Sequence, residues 1–199
     1  MRGRLLAVVS LAAVLLAGCS PDSASTTPDD VEGQSYQSGD GSTTTWKVAD
    51  RSGPLELSGT DFAGTAQDVA DWRGEVVVLN TWYAECPPCR AEAPDLVALS
   101  TDYADDGVQV LGINRQDDAG TAQAFERQFE VPYPSLADTD GSAIAALQGT
   151  VPVNAVPTTI VLDRSGMVAG RILGLADPST LRSLVDDLLL EEAPGTPAP

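Results

Sequence analysis

The residues best suited to chemistry are two cysteines, Cys86 and Cys89, in the stretch WYAECPPCR at positions 82–90. They follow a continuous apolar run, Val76–Asn80, which predicts a buried strand, and they open a predicted helix from about Pro88 to Ala104. A helix N-terminus stabilises an anion, and the thiolate is the form of cysteine that attacks a disulfide. Cys89, one turn into the helix, is placed to resolve a mixed disulfide by attacking the Cys86 sulfur. The pair therefore predicts thiol–disulfide exchange.

Three other interpretations of the pair compete with this one. A zinc site needs about four ligands, and the chain offers neither a second cysteine pair nor any histidine. A purely structural disulfide around a two-residue loop would constrain the unfolded chain little, so it would add little stability. A chance pairing remains open, although the order of strand, motif and helix favours redox chemistry.

The surrounding pattern predicts an α/β domain in which short β-branched runs alternate with helical segments around a largely parallel sheet. A second buried strand is expected at Val108–Asn114, followed by a helix over about Ala119–Phe129. The runs Thr158–Asp163 and Met167–Leu173 flank a turn and predict an antiparallel hairpin. The last helix is amphipathic, with apolar residues at helical spacing: Leu181, Leu184, Val185, Leu188 and Leu189.

Composition and the chain ends suggest an exported, anchored domain. The 199-residue chain has a formal net charge of −18, which disfavours nucleic acid as a partner. Residues 1–18 predict a signal peptide, and the tetrad LAGC ending at Cys19 resembles a bacterial lipobox, which implies lipid on that cysteine and attachment to the membrane. Residues 19–45 then predict a disordered tether, 46–191 the folded domain and 192–199 a disordered tail.

The stretches VVVLNTWYAECPPCR and VPTT resemble the membrane-anchored, thioredoxin-like thiol:disulfide oxidoreductases of the TlpA and ResA type. The resemblance implies a thioredoxin-like α/β fold, with a central mixed sheet flanked by helices. It also implies an inserted helix and strand before Pro157, which YPSLADTDGSAIAALQG (133–149) would supply. No metal, haem or nucleotide cofactor is implied.

By the same resemblance, Cys86 attacks, Cys89 resolves, and Pro157 is a cis proline lying against them. The Val156 backbone would then pair with an incoming peptide, and Thr158 follows in the same client-binding loop. The resemblance also assigns two residues outside the pair. Trp82 would pack under the site, and Glu92 would handle protons one turn beyond the resolving cysteine.

Three residues set the charge near the cysteines. Asn80 stands where classical thioredoxins keep a buried acid, which shifts proton handling onto Glu92. Glu85 precedes Cys86 and disfavours a neighbouring thiolate, whereas Arg90 follows the pair and favours one. The strength of the protein as a reductant depends on this balance.

The function predicted is a lipid-anchored enzyme on the outer face of the cytoplasmic membrane that reduces disulfides in exported proteins. An apocytochrome c is the client that the resemblance suggests, with electrons supplied by a membrane thiol donor. The alternatives are a disulfide oxidase or isomerase for secreted proteins, a thiol peroxidase, and a non-catalytic binding lipoprotein. The peroxidase motif Pro-x-x-x-Thr-x-x-Cys is not met at either Cys86 or Cys89.

Overall fold

The computed structural model of the protein describes residues 41–147 and 155–191. The predicted signal peptide, Cys19, most of the tether and the tail lie outside these residues. Among the helices of the two described ranges, none has the length and apolarity that a membrane crossing requires. The strands and helices are β1 (Thr43–Thr45), β2 (Ser58–Thr60), β3 (Ala66–Asp68), β4 (Val76–Trp82), α1 (Pro87–Asp102), β5 (Val108–Asn114), α2 (Ala119–Phe129), β6 (Ser135–Ala137), α3 (Ser142–Ala146), β7 (Thr158–Leu162), β8 (Val168–Leu173) and α4 (Pro178–Leu190).

The central sheet has six strands in the order β1-β8-β7-β4-β5-β6, and β2 with β3 forms a separate two-stranded ribbon. The β4–β5 and β5–β6 pairings are parallel, whereas β4–β7, β7–β8 and β1–β8 are antiparallel. The sheet is therefore mixed, and the expectation of a largely parallel sheet is wrong. The predicted hairpin of β7 and β8 is confirmed, and all three antiparallel pairings among the five in the sheet involve one of its strands.

The first strand corrects the predicted boundary between tether and domain at residue 46. Thr43–Thr45 pair with Gly170–Ile172 of β8 and form an edge of the sheet. Their side chains are mostly exposed, so the segment carries no apolar pattern that could mark it as a strand. The strand is held by backbone hydrogen bonds to β8 rather than by side-chain burial.

Apolar side chains alternate between the two faces of the sheet and form one cluster on each. Val76 and Val78 of β4 join the cluster with α1 and α4, whereas Val77 and Leu79 join the cluster on the other face. The predicted stripe of α4 is confirmed, because Leu181, Val185 and Leu188 are buried in the first of these clusters. Each fully buried leucine of this kind contributes about 1.5–3 kcal/mol.

The register of the strands brings four connecting segments to one edge of the sheet. The parallel strands β4 and β5 end side by side, with Trp82 opposite Asn114. Thr81 of β4 lies opposite Thr158 of β7, which in turn lies opposite Leu173 of β8. The loops after β4, after β5, before β7 and after β8 therefore meet at this edge. The inserted strand and helix, β6 and α3, are also found before Pro157 as predicted.

Candidate active site

The two cysteines lie at the start of α1, just after the loop that follows β4. Cys86 is the N-cap of α1, and its Sγ accepts the backbone N–H of Cys89 at 3.3 Å. Pro87 and Pro88 occupy the first helical positions, where a missing N–H removes no helical hydrogen bond. Cys86 and Cys89 are joined by a disulfide across this turn. The sequence thus builds a helix start around a redox-active pair.

The disulfide is covered in this oxidised form. Cys86 is 0% and Cys89 2% exposed, within a cluster that includes Trp82 and the partly buried Val156. The Cys86 sulfur is therefore closed to solvent in this form.

Glu92 lies one turn beyond Cys89 and is 1% exposed. Its Oε1 accepts the Asn80 side-chain amide at 2.7 Å, and its Oε2 accepts the Ala176 backbone N–H at 3.2 Å. Burial raises the pKa of Glu92 to about 7, against these two hydrogen bonds, which lower it; the Asp95 carboxylate adds a smaller upward effect. Glu92 can therefore both hold and release a proton near neutral pH.

A small cavity adjoins Cys89. Cys89, Asn80, Tyr133 and Ser135 are among the residues that line it, and its volume of about 10 Å³ is close to the minimum for one water molecule. Burial raises the pKa of Tyr133, and the carboxylates of Glu92 and Glu126 raise it further, so Tyr133 keeps its proton. Most of the lining is apolar, and the side chains of Asn80, Tyr133 and Ser135 are the lining groups to which a water could bond.

The loop before β7 contributes the second part of the site. The Val156–Pro157 bond is cis, as predicted, and the Pro157 carbonyl accepts the Gly174 N–H at 2.8 Å. Within the described residues, the Val156 N–H and C=O make no hydrogen bond. Thr158 is fully buried, and its hydroxyl donates to the Ala155 carbonyl at 3.1 Å. Thr158 thus holds the loop, and contact between a client and Val156 stays a prediction.

Trp82 lies beneath the cysteines, as the resemblance implied. It is nearly buried, and its ring stacks on Phe125 of α2 with the ring centroids 4.4 Å apart. This contact fixes α2 against the end of β4. All seven predicted site residues of the folded domain therefore gather at one edge of the sheet.

Three residues of the site were not predicted from the sequence. Tyr133 lines the cavity, Ala176 supplies an N–H to Glu92, and Asp117 accepts the Ala84 N–H at 2.7 Å. Asp117 could have been found, because polar residues after parallel strands gather at the same edge as the β4 loop. The described residues contain no group of three or more metal-ligating side chains.

A cysteine pair joined by a disulfide at the start of α1, a cis proline in the loop before β7 and a buried acid one turn beyond the pair define a thiol:disulfide oxidoreductase. Comparison with known proteins agrees with this class. The sequence profile of the AhpC/TSA family matches residues 50–171, and the chain belongs to this family.

Individual relatives bear related names. The chain is 32% identical over 135 residues to the thiol:disulfide interchange protein HelX of Rhodobacter capsulatus, covering 68% of this chain and 72% of HelX. It is 29% identical over 115 residues to the thiol-disulfide oxidoreductase ResA of Bacillus cereus, covering 58% of this chain and 64% of ResA.

Solved structures confirm the thioredoxin-like α/β fold. A secreted thiol-disulfide isomerase from Corynebacterium glutamicum is 30% identical and superposes with a TM-score of 0.68, over 78% of this chain and 97% of the isomerase. The predicted mixed sheet flanked by helices is therefore confirmed as a fold shared with this group.

Proposed function

We propose that the protein is an extracytoplasmic reductase that opens disulfides in exported proteins through the Cys86–Cys89 dithiol. The observation that carries this proposal is the dithiol at the start of α1 with Glu92 buried one turn beyond it. The helix start favours a thiolate at Cys86, and Glu92 has a pKa of about 7, which suits proton exchange with a thiol.

The reaction proceeds in two exchanges. The Cys86 thiolate attacks one sulfur of the client disulfide, and the other client sulfur leaves as a thiolate. Cys89, as thiolate, then attacks the Cys86 sulfur and releases the second client thiol. Two electrons pass from the enzyme to the client, and the enzyme is left with the Cys86–Cys89 disulfide. A membrane thiol donor restores the dithiol by the reverse pair of exchanges.

Glu92 serves the second exchange. Cys89 must lose its proton before it attacks, and Glu92 shares its face of α1 at a spacing of three residues. Ionised Glu92 accepts that proton and returns it when the enzyme is reduced again. Because its pKa lies near neutrality, neither transfer is strongly uphill.

The roles of the two cysteines are tested by covalent trapping. In Cys89→Ser the mixed disulfide forms at Cys86 and cannot be resolved, so client complexes should accumulate on non-reducing gels. In Cys86→Ser no such complexes should form, because the attacking sulfur is missing. Equal trapping in the two variants would contradict the assignment.

The proposed location is the outer face of the cytoplasmic membrane, with lipid on Cys19. Support comes from the leader-like residues 1–18, from the small residues before Cys19, and from the relative described as secreted. In cells, Cys19→Ser should release the protein from the membrane fraction, whereas wild type should stay there and carry an acylated N-terminal peptide by mass spectrometry. A wild-type protein without acylation would overturn the anchor.

The proposed client is a c-type apocytochrome, because the two cysteines of its haem-attachment motif Cys-x-x-Cys-His can form a disulfide with each other. This proposal follows from the family resemblance, and a peptide substrate tests it. Reduction of an oxidised Cys-x-x-Cys-His peptide should be faster than that of a scrambled peptide with the same disulfide loop. Equal rates for the two peptides would contradict the proposal that c-type apocytochromes are the client.

A disulfide isomerase or oxidase is the second candidate, and the solved structure of the Corynebacterium glutamicum isomerase favours it. The reduction potential of the Cys86–Cys89 couple separates the two. Equilibration with dithiothreitol or glutathione buffers should give a value near −270 mV, that of thioredoxin, for a reductase. A value near −120 mV would mean that the couple donates disulfides and that the proposed direction of electron flow is wrong.

A further inference from the structure

Two charged side chains, Asp117 and Arg90, hold the backbone of Ala84 in the loop that carries Cys86. The loop spans residues 83–86, between the end of β4 and the start of α1. The Ala84 N–H donates to Asp117 Oδ2 at 2.7 Å, and the Ala84 carbonyl accepts Arg90 Nη1 at 3.1 Å. Both polar backbone groups of this residue are thus bonded to charged side chains from other segments.

Asp117 is itself oriented by the end of β5. Its Oδ2 also accepts the Asn114 side-chain amide at 2.7 Å. In return, Asn114 Oδ1 accepts the N–H groups of Gln116 and Asp117 at 3.1 and 3.0 Å. Asn114 is buried and lies beside Trp82 in the β4–β5 pairing. The acceptor for Ala84 is therefore fixed to the sheet.

Arg90 is oriented by α2. Its guanidinium carbon lies 5.8 Å from the ring centroid of Phe125 and 5.2 Å from that of Phe129. Its Nη2 donates to Gln128 Oε1 at 3.1 Å. Among the described residues, Arg90 forms no salt bridge with a carboxylate. The guanidinium is thus positioned by rings and neutral acceptors, and one of those acceptors is the cysteine loop.

We propose that Arg90 and Asp117 are positioning residues for the reaction at Cys86, because together they hold the Ala84 backbone and with it the loop that sets the sulfur at the helix start. The proposal rests on Cys86 being the attacking cysteine. When the enzyme is reduced, the disulfide no longer restrains the loop, and these two hydrogen bonds take over that task. They keep the Cys86 sulfur where it can accept the Cys89 N–H.

A simpler explanation would treat the two side chains as point charges near a thiolate. The two explanations predict different signs. As charges, Arg90 would stabilise the thiolate and Asp117 would destabilise it, so removing them would have opposite effects. As positioning residues, both favour the thiolate, and removing either one allows the sulfur to leave the helix N-terminus.

The test measures alkylation of Cys86 against pH in the reduced, full-length protein, with Cys86 identified by peptide mass mapping. Arg90→Ala and Asp117→Ala should both raise the pH midpoint of alkylation by about one unit. Asp117→Asn removes the charge but keeps an acceptor for Ala84, so its midpoint should lie at or below that of wild type.

Opposite shifts in Arg90→Ala and Asp117→Ala, or no shift in either, would overturn the proposal. Glu85→Gln removes a charge next to Cys86 that makes no hydrogen bond to Ala84, and it calibrates the charge effect alone. Circular dichroism of each oxidised variant confirms folding, and Asp117→Asn serves where Asp117→Ala does not fold, since a raised midpoint there would also contradict the proposal. If these midpoints shift as expected while Cys89→Ser traps no client, the reductase function is wrong, but Arg90 and Asp117 still hold the Cys86 sulfur at the helix start.

Discussion

The two ends of the central sheet both bury charged side chains, but they surround them differently. At the end away from the cysteines, Arg51 has a side chain 6% exposed and donates to Asp163 at 2.8 Å and to both carboxylate oxygens of Glu191 at 2.6 and 2.7 Å. At the cysteine end, Glu92 is 1% exposed, and its hydrogen-bond donors, Asn80 and the Ala176 backbone, are both neutral.

The difference in partners sets what each charge can do. The hydrogen bonds of Glu191 and Asp163 raise the pKa of Arg51 above its already high ordinary value, so its charge is permanent and links the N-terminal segment to the end of α4. Among residues 41–147 and 155–191 no cation pairs with Glu92, so burial raises its pKa to about 7 and the proton becomes exchangeable. The ion pairs of Arg51 with Asp163 and Glu191, which we call the lock, carry permanent charges. Glu92 at the other end of the sheet can exchange a proton.

The largest effect expected from this contrast is on the pH dependence of stability through Glu92. Its folded pKa of about 7 lies above the ordinary value of 4.5, so its contribution is fully present below pH 4.5 and is lost as pH rises through 7. The loss is roughly 3 kcal/mol. Glu92→Gln should remove it, so the free energy of unfolding of the variant minus that of wild type should rise by this amount between pH 4.5 and 8. Urea unfolding of the oxidised proteins measures the difference.

Asn80→Ala provides the matched control for that experiment. It removes a hydrogen bond that lowers the pKa of Glu92, so the pH at which wild-type stability falls should move above 7 in the variant. The Cys89-dependent step of thiol exchange should move to higher pH with it. If the transition stays at the same pH in Asn80→Ala, Glu92 is not the group that titrates.

How much of this contrast could be predicted from the sequence depends on how far apart along the chain the contacting residues lie. Cys86 and Cys89 share one helix start, so their position and spacing predicted the pair, whereas Glu92 was assigned from the family resemblance. The donor from Ala176 comes 84 residues after Glu92, and the ion pair of Arg51 with Glu191 spans 140 residues. Such partners depend on how the strands pair, and sequence periodicity carries no information about pairing.

The strands themselves show the same limit. The bounds of α2 were predicted correctly because its period and its Asp118 cap are local. The edge strand Thr43–Thr45 was missed, because its side chains are polar and only pairing with β8 makes it a strand. The cis bond before Pro157 came from the family resemblance, since an X-Pro sequence by itself favours the trans form.

The second-largest expected effect is the loss of stability when the lock is broken. Arg51→Ala leaves the buried Asp163 carboxylate without its cation, and we expect a loss of about 2–3 kcal/mol in the free energy of unfolding. The value lies at or below the low end of the range for buried pairs because the Glu191 side chain is 37% exposed and regains water. Alkylation of Cys86 against pH should not change, because the lock is at the other end of the sheet. A shifted midpoint in this variant would show that the two ends are coupled.

The smallest effect belongs to a pair that resembles the lock in distance but not in burial. Arg182 donates to Asp102 at 2.6 Å between α4 and α1, with side chains 33% and 57% exposed. Water screens both charges, so Arg182→Ala should lower the free energy of unfolding by at most about 1 kcal/mol. Urea unfolding of Arg51→Ala and Arg182→Ala side by side separates burial from distance. If the two variants lose equal stability, hydrogen-bond length rather than burial sets the strength of these ion pairs, and the contrast between the two ends of the sheet loses its physical basis.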